Sequence, residues 1–144
     1  MKTLKILGVL SLMAISANAQ DLLPTEVPQQ IRTNFQNSYQ NATDVEWEKD
    51  LEYYKVEFEV SRDDYEIWYS ANAKVLKTEK EISARNLPAI VSKNIKNNYS
   101  GYSIDDVEEI TEGSKTTYYV EVEKWNDEID LVYSANGKLL RETK

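Results

Sequence analysis

Carboxylates are the groups in this chain numerous enough to do acid–base chemistry. Asp and Glu number 25 against 17 Lys and Arg, with no histidine and no cysteine. Lacking those two residue types, the chain has neither the usual general base nor a thiol nucleophile or soft metal ligand. Glu46, Glu48, Glu57, Glu59, Glu66, Glu121, Glu123 and Asp130 alternate with apolar residues. Two acids set roughly 5–9 Å apart across a cleft can hydrolyse glycosides, whereas acids spaced along the solvent side of strands keep a sheet from pairing with its neighbours. The alternation fits the second role, so no catalytic residue is assigned. Asp63-Asp64 and Asp105-Asp106 are acidic pairs that could touch a calcium ion. Neither follows a calcium-loop spacing and both read as turn residues, so no metal site and no cofactor are assigned.

Aromatic residues on the wrong beat are the stronger signal. If Tyr65, Ile67 and Tyr69 point inward, a period of two forces Trp68 outward beside Glu66. Its counterpart 64 residues later, Val132, is also apolar on that side, next to Asp130. An outward tryptophan framed by carboxylates is a recognition surface, since Trp and Tyr supply large rigid contact area. The candidate partner-binding residues are Trp68, Glu66, Glu57, Glu59, Trp125, Asp130 and Val132, with Trp125 joining from a hairpin. The alternative is that Trp68 covers a junction or fills a twist in the sheet. Trp47 is assigned to the core.

The elements that must position these residues come in duplicate. Tyr69-Ser-Ala-Asn-Ala-Lys-Val-Leu-Lys-Thr-Glu79 reappears as Tyr133-Ser-Ala-Asn-Gly-Lys-Leu-Leu-Arg-Glu-Thr143, an offset of 64. Val27-Pro28, Ile31, Phe35 and Tyr39 match Leu87-Pro88, Val91, Ile95 and Tyr99 at an offset of 60. Apolar residues four apart predict helices near 28–39 and 88–99, started by prolines, with Asn86 as an N-cap. Alternation then predicts strands around Val45–Trp47, Tyr54–Val60, Tyr65–Tyr69 and after the turn at 70–73, and again over Ile104–Ile110, Tyr118–Val122, Ile129–Tyr133 and Lys138–Glu142. The reading is α+β: two tandem helix-plus-four-strand repeats, about 23–81 and 82–144, forming an antiparallel sheet with the helices on one face. A continuous eight-stranded sheet is expected; two separate sheets hinged at Lys80-Glu81-Ile82-Ser83 are the alternative.

Ahead of these elements, residues 1–19 read as a signal peptide. Lys2 and Lys5 precede an apolar run from Ile6 to Ile15, and Ala17-Asn18-Ala19 gives the small-residue cleavage pattern. The run is short of the ~20 apolar residues of a membrane span. Cleavage before Gln20 leaves one domain, 20–144, and removes two lysines, so the mature balance is 15 basic to 25 acidic side chains, a net charge of −10. Nucleic acid and anionic membranes are repelled by that charge; basic proteins and cations are the better partners. Without cysteine, packing alone must hold the fold.

A secretory signal, tandem units with a proline-started amphipathic helix, a Tyr-x-Val-Glu strand and a strand–turn–strand of the type Tyr-Ser-Ala-Asn-Gly-Lys-x-Leu together resemble the exported PepSY-like, β-lactamase-inhibitor-like proteins of Bacteroidetes. The resemblance covers nearly all of 23–144. It implies a helix-plus-four-strand repeat and a role in binding or restraining other extracytoplasmic proteins. The disulfides of the β-lactamase inhibitor proteins proper have no counterpart here. The expected function is therefore an exported, non-enzymatic binding protein, periplasmic or secreted, which acts as an inhibitor or modulator of a protein or peptide partner through the exposed sheet face. A small-ligand carrier with a tyrosine-lined apolar cavity, or a carboxylate-dependent hydrolase, are the alternatives.

Overall fold

Alternation of apolar and acidic side chains makes antiparallel strands that bury one face, because a period of two sends one set to a core and the other to solvent. The computed structural model describes residues 20–144; the predicted signal peptide, 1–19, lies outside the described residues. In chain order the elements are β1 (Gln20–Leu22), α1 (Gln29–Ser38), β2 (Thr43–Asp50), β3 (Tyr53–Val60), β4 (Asp63–Ser70), β5 (Val75–Glu81), α2 (Ala89–Asn98), β6 (Ser103–Glu112), β7 (Lys115–Lys124), β8 (Asp127–Ser134) and β9 (Leu139–Thr143). Every strand pairs antiparallel with the next, so the nine-stranded sheet runs β1 to β9 in chain order.

This corrects the expected architecture of two helix-plus-four-strand repeats in an eight-stranded sheet. The described residues are dominated by one nine-stranded antiparallel sheet, and the two α-helices among them are only ten residues each. The added strand, β1, sits before the first helix and pairs Leu22 with Trp47. It covers the outer edge of β2, which would otherwise expose unpaired N–H and C=O groups. A hinge at 80–83 is excluded by β5, which runs to Glu81 and pairs with β6 through Lys80↔Glu109 and Glu81↔Glu108. Asn86 is not an N-cap: it ends a short 3-10 turn, Ala84–Asn86, and Pro88 takes the cap position of α2 as Pro28 does for α1.

Both helices cover the same face. The cross-strand line Trp47, Val56, Ile67, Thr78, Thr111 joins the two ends of the sheet on that side. Under α1, Ile31 and Phe35 pack on Trp47, Val56, Phe58, Ile67 and Tyr69; Phe35 meets Phe58 and Trp47 edge-on at 4.9 and 5.3 Å. Under α2, Val91 and Ile95 pack on Val107, Val120, Val122, Leu131 and Tyr133. Full burial of one such side chain stabilises by about 1.5–3 kcal/mol. Trp47 is in the core, as expected.

The hairpins at 70–74 and 134–138 are alike. In each, the backbone N–H of the left-handed residue bonds back across the loop, Ala73 to Ser70 O and Gly137 to Ser134 O, both at 2.9 Å. Ala73 has φ 62° and Gly137 φ 85°, the single left-handed position of a three-residue loop with a bulge. The helices tie down these turns: Asn34 Nδ2 donates to Ala73 O at 3.3 Å and Asn94 Nδ2 to Gly137 O at 2.7 Å.

Candidate functional site

The face that the helices leave uncovered is laid out by the register, since paired residues share a face. One row reads Glu48, Lys55, Trp68, Lys77, Glu112, Lys115 across β2 to β7. The next reads Glu46, Glu57, Glu66, Glu79, then Ile110. Four glutamates directly opposite one another on adjacent strands destabilise a sheet, so this row is not explained by folding. A further row holds Glu59 paired with Asp64, and Glu81 paired with Glu108.

Lysines from the first row answer part of that charge. Lys55 Nζ lies 2.9 Å from Glu48 and 2.5 Å from Glu57, and Lys77 pairs with Glu79 while its ammonium sits 4.2 Å from the Trp68 ring centroid. Burial alone would lower Lys55, but its hydrogen bonds to Glu57 and Glu48 win and hold it above the ordinary lysine range. Lys77, Glu66 and Glu79 are only 5%, 8% and 9% exposed although they point to the uncovered side.

Beside Trp68 the acids enclose a hollow of about 220 Å³ in which ten of the thirteen lining residues are acidic. Burial pushes the Glu66 carboxyl up to about 7, with Glu57 and Glu79 adding to the shift and Lys55 and Lys77 opposing it. Burial likewise raises Glu108 to about 8, reinforced by Glu79, Asp106 and Glu66. Glu81 rises to about 7 through burial and then through its hydrogen bond with Asp64. Chemically the hollow is a desolvated cluster of carboxyl groups, three of which hold protons near neutral pH.

The residues expected at the site divide into three groups. Glu57, Glu59 and Glu66 line the hollow, and Trp68 is half-buried in the neighbouring row. Asp130 is on β8, four strands from Trp68, where it accepts a hydrogen bond from Tyr119 Oη at 2.6 Å. Val132 is not exposed: it is 9% accessible and packs with Ile110 and Tyr119 in a small apolar cluster on the open face. Trp125 stands apart. Lys115 shares the row of Trp68, and Trp125 lies ten residues farther along, roughly 33 Å at the rise of a strand, at a hairpin tip where it is 94% exposed.

Sequence reasoning missed Lys77, Glu79, Glu81 and Glu108. The signal was present in β5, where Lys77, Glu79 and Glu81 alternate with Leu76, Thr78 and Lys80, but only the register sets them opposite Trp68 and Glu66. Of the acidic pairs considered for calcium, Asp64 and Asp106 both line the hollow, where their charges help to raise Glu81. Glu121, Glu128 and Asp130 bring carboxylate oxygens within 4.8 Å of one another, a partial set for a cation that takes six to eight oxygens. Where the carrier expectation puts a tyrosine-lined cavity, Phe35 stacks on Tyr39 and Phe58 on Tyr65, and Phe58 meets Phe35 and Tyr39 edge-on.

The comparisons with known proteins agree with this architecture. A profile of the PepSY-like, beta-lactamase-inhibitor-like family matches residues 13–77 and 52–141. The chain is similar to a BLIP-like protein from Bacteroides fragilis, at 32% identity over 85% of this chain and 87% of that one, with a TM-score of 0.69. Two others share the fold: a DUF2874 family protein from Bacteroides uniformis, at 20% identity over 81% and 88% with TM-score 0.70, and a Bacteroides eggerthii protein described as a candidate periplasmic protein, at 18% over 81% and 88% with TM-score 0.72. None of the curated proteins matches the chain. Among the described residues no helix is long and apolar enough to cross a membrane. The chain belongs to the PepSY-like, beta-lactamase-inhibitor-like family.

Proposed function

We propose that the protein is a periplasmic, non-enzymatic binding protein that engages a basic segment of an extracytoplasmic protein across the uncovered sheet face, and so inhibits or modulates that protein. The observation that carries this reading is the row Glu46, Glu57, Glu66, Glu79, four glutamates placed side by side beside an outward Trp68. A sheet held together for its own sake would not keep such a row. Trp68 supplies a flat aromatic anchor of the kind that dominates interfaces, and the mature charge of −10 attracts a basic partner from a distance. The similarity to a BLIP-like protein supports a protein partner as the class of ligand.

Affinity capture from envelope extract tests the reading. Wild-type protein is expected to retain a basic protein, identified by mass spectrometry, with retention falling as salt rises. Trp68→Ala is expected to lose it by tenfold or more. Equal retention by Trp68→Ala, or an acidic partner insensitive to salt, would sink the proposal.

A further inference from the structure

The hollow holds more negative charge than its own lysines answer. Glu66 is 8% exposed and makes no hydrogen bond or ion pair with a described residue, while the residues opposite it on either side are Glu57 and Glu79. Those two are engaged by Lys55 and Lys77. Across the hollow, Glu59, Asp64, Glu81 and Glu108 form no ion pair among the described residues. Lys80, the lysine in the lining, turns its ammonium to Asp63 at 3.6 Å and to the Tyr65 ring at 5.2 Å. A buried carboxylate with no donor is costly unless a cation completes it. At about 220 Å³ the space falls below the ~300–1,000 Å³ of small-molecule pockets and suits one side chain.

We propose that this hollow is a socket for a single lysine or arginine side chain of the partner protein, with Glu66 as the buried acceptor. The socket rests on the reading of the uncovered face given above and names the chemistry of what enters it. An entering ammonium or guanidinium meets Glu66 at the floor and Glu59, Asp64, Glu81 and Glu108 on the far wall; a guanidinium can bridge two of these carboxylates at once. The groups that face Glu66 are Glu57 and Lys55 from β3, Glu79 and Lys77 from β5, and Glu108 from β6. Because burial and mutual repulsion hold Glu66 near 7 and Glu108 near 8, a docked cation draws protons off them and binding releases protons at neutral pH.

Three capped tripeptides test this, each with glycine on both sides of lysine, arginine or norleucine, titrated into isotopically labelled protein and followed by amide NMR. The lysine and arginine peptides are expected to shift the signals of Glu66, Glu79 and Glu108 saturably, and the norleucine peptide to leave them in place. Glu66→Gln is expected to weaken lysine-peptide binding tenfold or more without lowering the melting temperature, and to reduce the protons released, read as the dependence of calorimetric enthalpy on buffer. Equal binding of norleucine, uniform unsaturable shifts over the acidic surface, or calcium chloride saturating the same signals and shutting out the lysine peptide would each overturn the socket. Partner capture separates this proposal from the one it rests on. Capture lost in Trp68→Ala but intact in Glu66→Gln removes the socket and keeps the face, whereas capture intact in both removes the face reading.

Discussion

Gly137 and Ala73 occupy the same left-handed position in matched hairpins, yet alanine should be tolerated at only one of them. A Cβ built on Gly137 would lie 2.6 Å from Ile90 Cγ1, 3.1 Å from Ile90 Cγ2 and 3.2 Å from Asn94 Nδ2. Gly137→Ala therefore combines a left-handed penalty of about 1 kcal/mol with overpacking of about 1–3 kcal/mol. The expected destabilisation is about 2–4 kcal/mol. The α1 residue matched to Ile90 is Gln30, so Ile90→Gln in the Gly137→Ala background should recover the overpacking part and leave about 1 kcal/mol. Ala73→Gly relieves the same backbone strain, but it exposes the chain to greater unfolded-state entropy, about 0.5–1 kcal/mol, and loses a buried methyl worth about 0.8 kcal/mol. It should come out within about 1 kcal/mol of neutral. Urea midpoints at constant m report all four proteins. Gly137→Ala within about 0.5 kcal/mol of wild type, or no recovery from Ile90→Gln, would refute the packing argument.

Other expectations follow from the same contacts. Stability should fall as pH rises from about 5 to 8, because the Glu66 carboxyl, raised from 4.5 to about 7, binds its proton more tightly folded than unfolded; the loss due to this group is on the order of 3 kcal/mol, Glu66→Gln should flatten the curve, and urea midpoints that climb with pH would contradict it. Asn94→Ala should destabilise by about 1–2 kcal/mol through the lost 2.7 Å bond to Gly137 O, and Asn34→Ala by less, given 3.3 Å to Ala73 O; thermal melts that reverse the order would count against the helix-to-turn ties. Trp68→Ala should lower stability by only about 1 kcal/mol, chiefly the lost contact with the Lys77 ammonium, whereas Phe35→Ala should lose about 3–5 kcal/mol; comparable losses in the two would mean that Trp68 belongs to a core.

The duplicated pattern made most of the fold legible. Ile31, Phe35, Val91 and Ile95 mark both helices by spacing alone, and Tyr54 to Val60 and Tyr65 to Tyr69 mark strands and their inward sides. β1 was not legible, since Gln20-Asp21-Leu22 carries no strand pattern and pairs only because β2 offers a free edge. The open face was half legible. Period two sends Trp68, Glu57 and Glu66 outward, but it says nothing of which residues lie opposite them, and the lysines flanking Trp68 come from β3 and β5 by register. The same limit explains Val132, sent to the open side by its period and then buried with Tyr119 of β7 and Ile110 of β6. Trp125 failed for a different reason: membership of a hairpin does not fix which end of a long strand the turn occupies.

The account stands most directly on which face meets the partner. Carbodiimide labelling of carboxylates, read by peptide mass spectrometry on the protein alone and bound to the partner captured from envelope extract, measures this residue by residue. Glu46, Glu57 and Glu59 on the uncovered face are expected to become protected in the complex, while Glu26 before α1 and Glu142 in β9 keep their reactivity. Unchanged labelling of Glu46, Glu57 and Glu59, with protection confined to Glu26 or Glu142, would contradict the account.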